Sequence, residues 1–264
     1  MRTRASRIRR QNTVGVLLLS GVGLIFAIGF AVYMTIDRSR QHGCAAAGPS
    51  SLTAVIVDST DQLTAVQRLA LENELIGVVD NLPVGGGIQF WRVAPSSKHV
   101  PEAEGAVVCN PGKTTSQWTG NPAKVQKSYQ NNFYTPSVAT VRRLVSAHSE
   151  AESPIMETIQ AVALRVFGAP EFAAVKDRRL VLASDLLQNS PTLNQLATVG
   201  PFEEFRHSDG FERVAAPLNN VNVEVLYLRR ERSPQGKVHI EFWQSYIAAN
   251  GGILIHLKSI AGVS

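Results

Sequence analysis

The sequence predicts an α/β domain, a mostly parallel, doubly wound sheet with helices on both faces, preceded by one N-terminal transmembrane helix. Three observations carry this. From residue 52 onward, short apolar runs rich in branched residues alternate with amphipathic helical stretches, the order that builds βα units. Two of those runs end in an aspartate, Val57 into Asp58 and Ser184 into Asp185, at the edge where open parallel sheets hold ligands. Residues 14–36, VGVLLLSGVGLIFAIGFAVYMTI, carry no charge, and a bilayer-spanning helix needs about 20 such residues.

The first 51 residues divide by composition into a basic tail (1–13), the apolar span (14–36) and a linker (37–51). The span is longer than the ~7–15 apolar residues of a secretory signal, so it reads as an uncleaved anchor. Arg2, Arg4, Arg7, Arg9 and Arg10 precede it, against Arg38 and Arg40 after it. The excess of positive charge keeps the tail in the cytoplasm and places the domain at 52–264 outside, in the periplasm or its equivalent. The chain is then a single-pass protein of the plasma (inner) membrane, its tail able to touch anionic lipid. Gly23, Ala27 and Ala31 set small residues on one helical face, a surface for self-association of spans.

The net charge of +5 belongs to this N-terminal region: residues 1–40 hold seven Arg and one Asp, and the rest holds 19 basic and 20 acidic side chains. A nucleic-acid binder carries its positive charge on the folded domain, so that class is excluded. At 44% hydrophobic and 18% charged, the chain is neither disordered nor dependent on cysteine staples. Its two cysteines are Cys44 in the linker and Cys109 in the domain. In an oxidising compartment they either close a disulfide tying stalk to domain or remain two unrelated thiols.

Within the domain, Leu52–Val57 is the first strand. Thr64 to Leu82 follows as a helix, with Leu69, Leu71, Leu75, Ile76, Val78 and Val79 on its apolar side. Gly85-Gly86-Gly87 breaks the chain before a second strand, 88–93, and Ala106–Cys109 reads as a short edge strand. Residues 125–149 are helical, interrupted near Pro136. Ser153-Pro154 starts another helix, through about Phe167, with Ser as cap and Pro at the first position. Arg179–Ser184, Asn222–Leu228 and Ile253–Ile260 are the remaining strands, with a helix at Val238–Asn250 before Gly251-Gly252. Phe202, Phe205, Phe211, Phe242, Trp243 and Tyr246 read as core anchors.

Asp58 and Asp185, with hydroxyls from Ser59, Thr60 and Ser184 nearby, suit a hard cation that takes oxygen ligands. The stretch Asp58-Ser59-Thr60-Asp61-Gln62, the loop Glu152-Ser153-Pro154-Ile155-Met156-Glu157 and the strand RLVLAS with Asp185 together resemble a von Willebrand factor A (vWA) domain. That family has an Asp-x-Ser-x-Ser motif after its first strand, a Thr from a middle loop and an Asp after its fourth strand. The resemblance, across about residues 52–262, implies a divergent metal-ion-dependent adhesion site made of Asp58, Thr60, Gln62, Ser153 and Asp185. It implies Mg²⁺, with a partner protein's carboxylate completing the coordination. Thr60 and Ser153 keep the hydroxyls of the pattern; Gln62 replaces a Ser, and Leu186 stands where Gly commonly follows the second Asp.

The expected function is a membrane-anchored, non-enzymatic protein-interaction module, an envelope tether or assembly component. The enzymatic alternative is a haloacid-dehalogenase-like phosphatase with Asp58 as nucleophile and Ser184 on the phosphate. It lacks the second acid two residues on and a downstream acid pair for Mg²⁺. The other alternative is a metal-free structural scaffold. Gly112-Lys113-Thr114 is not a phosphate loop, because Val107 occupies the position of its first Gly. The six histidines show no zinc spacing.

Overall fold

Six strands, Leu52–Val57 (β1), Gly87–Arg92 (β2), Val108–Cys109 (β3), Arg178–Ser184 (β4), Val221–Leu228 (β5) and Ile253–Ile260 (β6), make one sheet in the order β3-β2-β1-β4-β5-β6. Every neighbouring pair is parallel except β2 with β3. β1 is central and all six of its residues are buried, which is why it reads as an unbroken apolar run rather than an alternating one. These elements come from a computed structural model that describes residues 44–45, 47–93, 101, 103–114, 121–146, 150–231 and 233–260. All of them belong to the unit His42–Ser264. The basic tail, the apolar run 14–36 with its Gly23–Ala27–Ala31 face, and the first part of the linker lie outside the described residues. Among the described residues no helix is long and apolar enough to cross a membrane.

Side chains alternate across the sheet and build two cores. Leu52, Ala54, Ile56, Leu180, Leu182, Val223 and Val225 face the helices Ile155–Val162 (described below as α4) and Lys237–Ala249 (α7). Val55, Val57, Val181, Ala183 and Leu226 face Ala65–Asp80 (α1) and the helical run from Pro122 to Leu144. α1 starts on a capping box: Gln67 N donates to Thr64 Oγ1 (3.1 Å) and Thr64 N donates to Gln67 Oε1 (3.2 Å). Leu69 does not join its buried stripe. It is 62% exposed beside Val66, because Gln67, Leu71, Leu75, Val78 and Val79 already fill the inward face.

The run 122–144 is not broken at Pro136. Pro122–Tyr129 (α2) widens into a π turn over Gln130–Tyr134 and continues as Thr135–Leu144 (α3). The wider turn lies just before the proline, whose missing N–H cannot close an ordinary helical bond. α4 likewise runs into a π turn at Ala163–Phe167, and the short helices Phe202–Arg206 (α5) and Asp209–Arg213 (α6) pack their aromatics against α7. Phe202, Phe205, Phe242, Trp243 and Tyr246 are buried there, Phe211 packing against them from a partly buried position.

Cys44 and Cys109 are joined by a disulfide across 65 residues, with their Cα atoms 4.8 Å apart. Cys109 is level with Gly87, the first residue of β2, so the bond lies at the amino edge of the parallel strands. Gly87 is required there: a Cβ would come within 2.8 Å of Val107. Closing a loop of this length restricts the unfolded chain. Replacing both cysteines by serine is expected to lower stability by about 2–4 kcal/mol, read as a lower urea midpoint; an unchanged midpoint would show that the bond adds nothing to the fold.

Candidate functional site

β1 and β4 are neighbours, and the chain winds outward from them in opposite directions, to β2 and β3 on one side and to β5 and β6 on the other. Such a reversal opens a crevice beyond the carboxyl ends of the strands. Val57 is level with Ala183, and Asp58 N donates to Ala183 O (2.8 Å), so the two predicted aspartates follow adjacent strand ends.

Asp58 is 2% exposed, and both of its oxygens are used. Oδ1 accepts from Thr60 N (3.1 Å) and Thr60 Oγ1 (2.6 Å). Oδ2 accepts from Ser153 Oγ (3.0 Å) and Ser184 Oγ (2.8 Å). A carboxylate buried away from water has to find its hydrogen-bond donors inside the protein, and here it finds four. The bonds also fix three hydroxyls around it, each with lone pairs to spare. Ser153 reaches the cluster because its loop is paired to the loop after β4, Ser153 N to Asn189 O (2.8 Å) and Asn189 N to Ser153 O (2.9 Å). It is therefore not the helix cap that its sequence suggests. α4 begins at Ile155, and the amide of Met156 is met by Gln188 Oε1 (2.9 Å).

Asp185 has a different environment. Oδ1 accepts from Leu187 N (2.9 Å), and Oδ2 accepts from Arg230 Nε (2.7 Å). Burial and the nearby charge of Asp58 push its carboxyl up from the usual 3.8 to about 7, outweighing Arg230 and the Leu187 amide. Arg230 also reaches Asp61, with 3.3 Å from Nη2 to Oδ2, and donates to the main-chain carbonyl of Gln62 (3.2 Å). Gln62 itself is exposed and meets the cluster through that carbonyl. The turn into α1 presents its backbone, not its amide side chain.

The next residue, Leu186, is fully buried with φ of +61°, a conformation that bulky residues rarely adopt. Its surroundings hold it there. Its N–H donates to Ser184 Oγ (2.8 Å), and its carbonyl lies 2.9 Å from His239 Nε2, whose Nδ1 is 2.7 Å from the Tyr227 hydroxyl. Burial holds His239 below its ordinary pKa, so the neutral ring donates to Leu186 O and accepts from Tyr227. Gln235 Nε2 donates to Asp185 O and Leu228 O, both at 2.8 Å, while Gln235 Oε1 takes the Arg230 amide (2.7 Å).

The structure thus gathers Asp58, Thr60 and Ser153, sets Asp185 close by under Arg230, and leaves the Gln62 side chain outside. Among the described residues no three His, Cys, Asp or Glu side chains form a metal-binding group. The donor set is instead two carboxylates and several hydroxyls, all hard oxygens, which suits a cation that keeps most of its waters. Ser59 Oγ, in a residue 1% exposed, has no hydrogen-bond partner among the described residues and adds one unmet oxygen beside Asp58. The residues fit a small hard cation. For attack on a phosphoester the fit is poor, since neither Asp58 oxygen is free.

Sequence reasoning missed Arg230, Gln235 and His239. The rule that found the aspartates also reaches Arg230, which stands two residues beyond the carboxyl end of β5. Arginine after a strand ordinarily reads as a solvated loop residue, so nothing set it apart.

No protein-family model and no curated protein matches the chain. Solved structures similar to it include vWA domains. One is a von Willebrand factor type A protein from Catenulispora acidiphila, at 12% identity and TM-score 0.48, covering 81% of this chain and 39% of that one. Another is the SpRpn10 VWA domain, at 10% identity and TM-score 0.42, covering 79% and 87%. A third, at 12% identity and TM-score 0.37, covering 81% and 92%, is an aerotolerance-related membrane protein from Bacteroides fragilis with multiple mutations to serines. The chain spans about two fifths of the first of these.

Two outcomes follow from the geometry. Asp58→Ala strands three hydroxyls and an amide and is expected to cost about 3 kcal/mol or more, against about 1 kcal/mol for Ser153→Ala, which removes one of those bonds; equal losses in urea unfolding would mean that Asp58 is not the hub. Between about pH 4 and pH 7 the folded protein keeps the Asp185 proton that the unfolded chain releases. The stability this carboxyl contributes therefore falls as pH rises through that window and is level above about 7. The stability of wild type relative to Asp185→Asn should drop by more than about 1 kcal/mol from pH 5 to pH 8, and a constant difference would contradict it.

Proposed function

We propose that the chain is a membrane-anchored, non-enzymatic vWA-like module that binds another protein, serving as an envelope tether or assembly component. The observation that carries this reading is the cluster of Asp58, Thr60, Ser153, Ser184 and Asp185 at the β1–β4 crevice. In it, Asp58 holds the hydroxyl protons of Thr60 and Ser153 toward itself, so their oxygens turn lone pairs outward. Those two oxygens, with the charges of Asp58 and Asp185, would hold Mg²⁺. The ion would supply a Lewis-acidic position for a carboxylate of the partner.

The apolar run 14–36 supports the anchor, and the Arg bias supports a cytoplasmic tail. The Cys44–Cys109 bond supports an oxidising compartment for the domain. Self-association through the Gly23–Ala27–Ala31 face belongs to the same reading.

Thermal unfolding of the full chain in detergent tests the site. Mg²⁺ or Mn²⁺ at a hundredfold excess over its dissociation constant should add about 2.7 kcal/mol of stability relative to chelator, and Asp58→Asn should abolish the gain. Identical midpoints with metal and with chelator would remove the metal from the mechanism and leave a scaffold whose binding surface lies elsewhere.

A further inference from the structure

The most unexpected group at the crevice is a cation that belongs to the chain. We propose that Arg230 is a tethered competitor for the divalent cation: it pairs with Asp185 and must leave it for a cation to draw on that carboxylate. This rests on the Mg²⁺ reading above and adds what sets the affinity and timing of that site.

Three observations support it. The first is occupancy. Asp185 has two oxygens, one held by the Leu187 amide and the other by Arg230 Nε at 2.7 Å. A cation approaching Asp185 meets either a used oxygen or a positive guanidinium.

The second is position. The guanidinium forks across the ends of two strands, to Asp185 after β4 and to Asp61 and the Gln62 carbonyl after β1. It therefore lies over the loops that carry the proposed ligands. The Gln62 carbonyl it engages belongs to the residue where the family pattern has a ligating hydroxyl.

The third is that an exit exists. The two carboxylates holding Arg230 are unequal, the Asp185 side chain being 2% exposed and that of Asp61 51%. Released from Asp185, the guanidinium keeps a solvent-facing partner in Asp61, and its side chain is already 20% exposed.

Arg230 then has two roles. Paired with Asp185, it is that carboxylate's counter-charge. With metal the two cations repel across a short, poorly screened distance, so the arginine weakens the site and sets a threshold of metal or partner concentration for filling it. A partner carboxylate that binds the metal also offers the displaced guanidinium a second anion, so partner and metal favour each other.

The test is a titration of the full chain in detergent micelles with Mn²⁺ alone, followed through the electron paramagnetic resonance signal of the free ion, for wild type, Arg230→Met and Arg230→Gln. The expected result is binding at least about tenfold tighter in both variants, with a cooperative unfolding transition in chelator confirming that each is folded. Saturable binding in wild type that is unchanged or weaker in the variants overturns the proposal and leaves the metal reading standing. No saturable binding in any of the three overturns the metal reading, and this inference with it. Should Arg230→Met fail to unfold cooperatively, Arg230→Gln carries the comparison. Loss of the fold in both also overturns the proposal, because a group the fold requires cannot be one that a cation displaces.

Discussion

A carboxylate buried just beyond the end of a central strand has to find its hydrogen bonds inside the protein, and the carboxyl edge of this sheet is arranged around that need. Asp58 takes its four from three separate stretches of chain: its own turn, the loop before α4 and the end of β4. Each donor is itself held. Ser153 is paired to Asn189, and Ser184 accepts the amide of Leu186. The loops at the crevice are thus fixed less by their own turn chemistry than by a shared anion.

That anion has a close neighbour of the same sign, and the remainder of the edge reads as compensation for it. Arg230, Gln235 and His239 all come from the segment between β5 and the first turns of α7, and all three bind the Asp185–Leu186 turn. They hold a leucine in a left-handed conformation that costs on the order of 1–3 kcal/mol. A glycine there would adopt that conformation freely but would forgo the buried side chain that Leu186 contributes to the core.

Much of this fold was legible in the sequence for a physical reason. Strands buried on both faces, such as Leu52–Val57, must be apolar throughout, and a polar residue directly after one is conspicuous. Asp58 and Asp185 stood out in that way. What could not be read depends on contacts between distant segments. The hydroxyl of Ser153 is a good cap by local rules and is drawn away by a carboxylate 95 residues earlier. Gln62 fits a spacing, but its backbone faces the cluster where its side chain does not. Leu69 keeps helical periodicity and still faces solvent. The π turn at Gln130–Tyr134 precedes Pro136, but no proline or glycine within Ala163–Phe167 announces the second one.

The covalent link between Cys44 and Cys109 has a mechanical meaning. Residues 45–108, which include β1, α1, β2 and Asp58 itself, lie inside the closed loop. Tension applied along the chain from its N-terminal side passes through the sulfur bridge to Cys109 and bypasses that whole segment. The strand carrying the hub of the crevice cannot be drawn out by such a pull while the bridge is intact. Such a load enters the fold at Cys109 and leaves β1 and the turn after it unstretched.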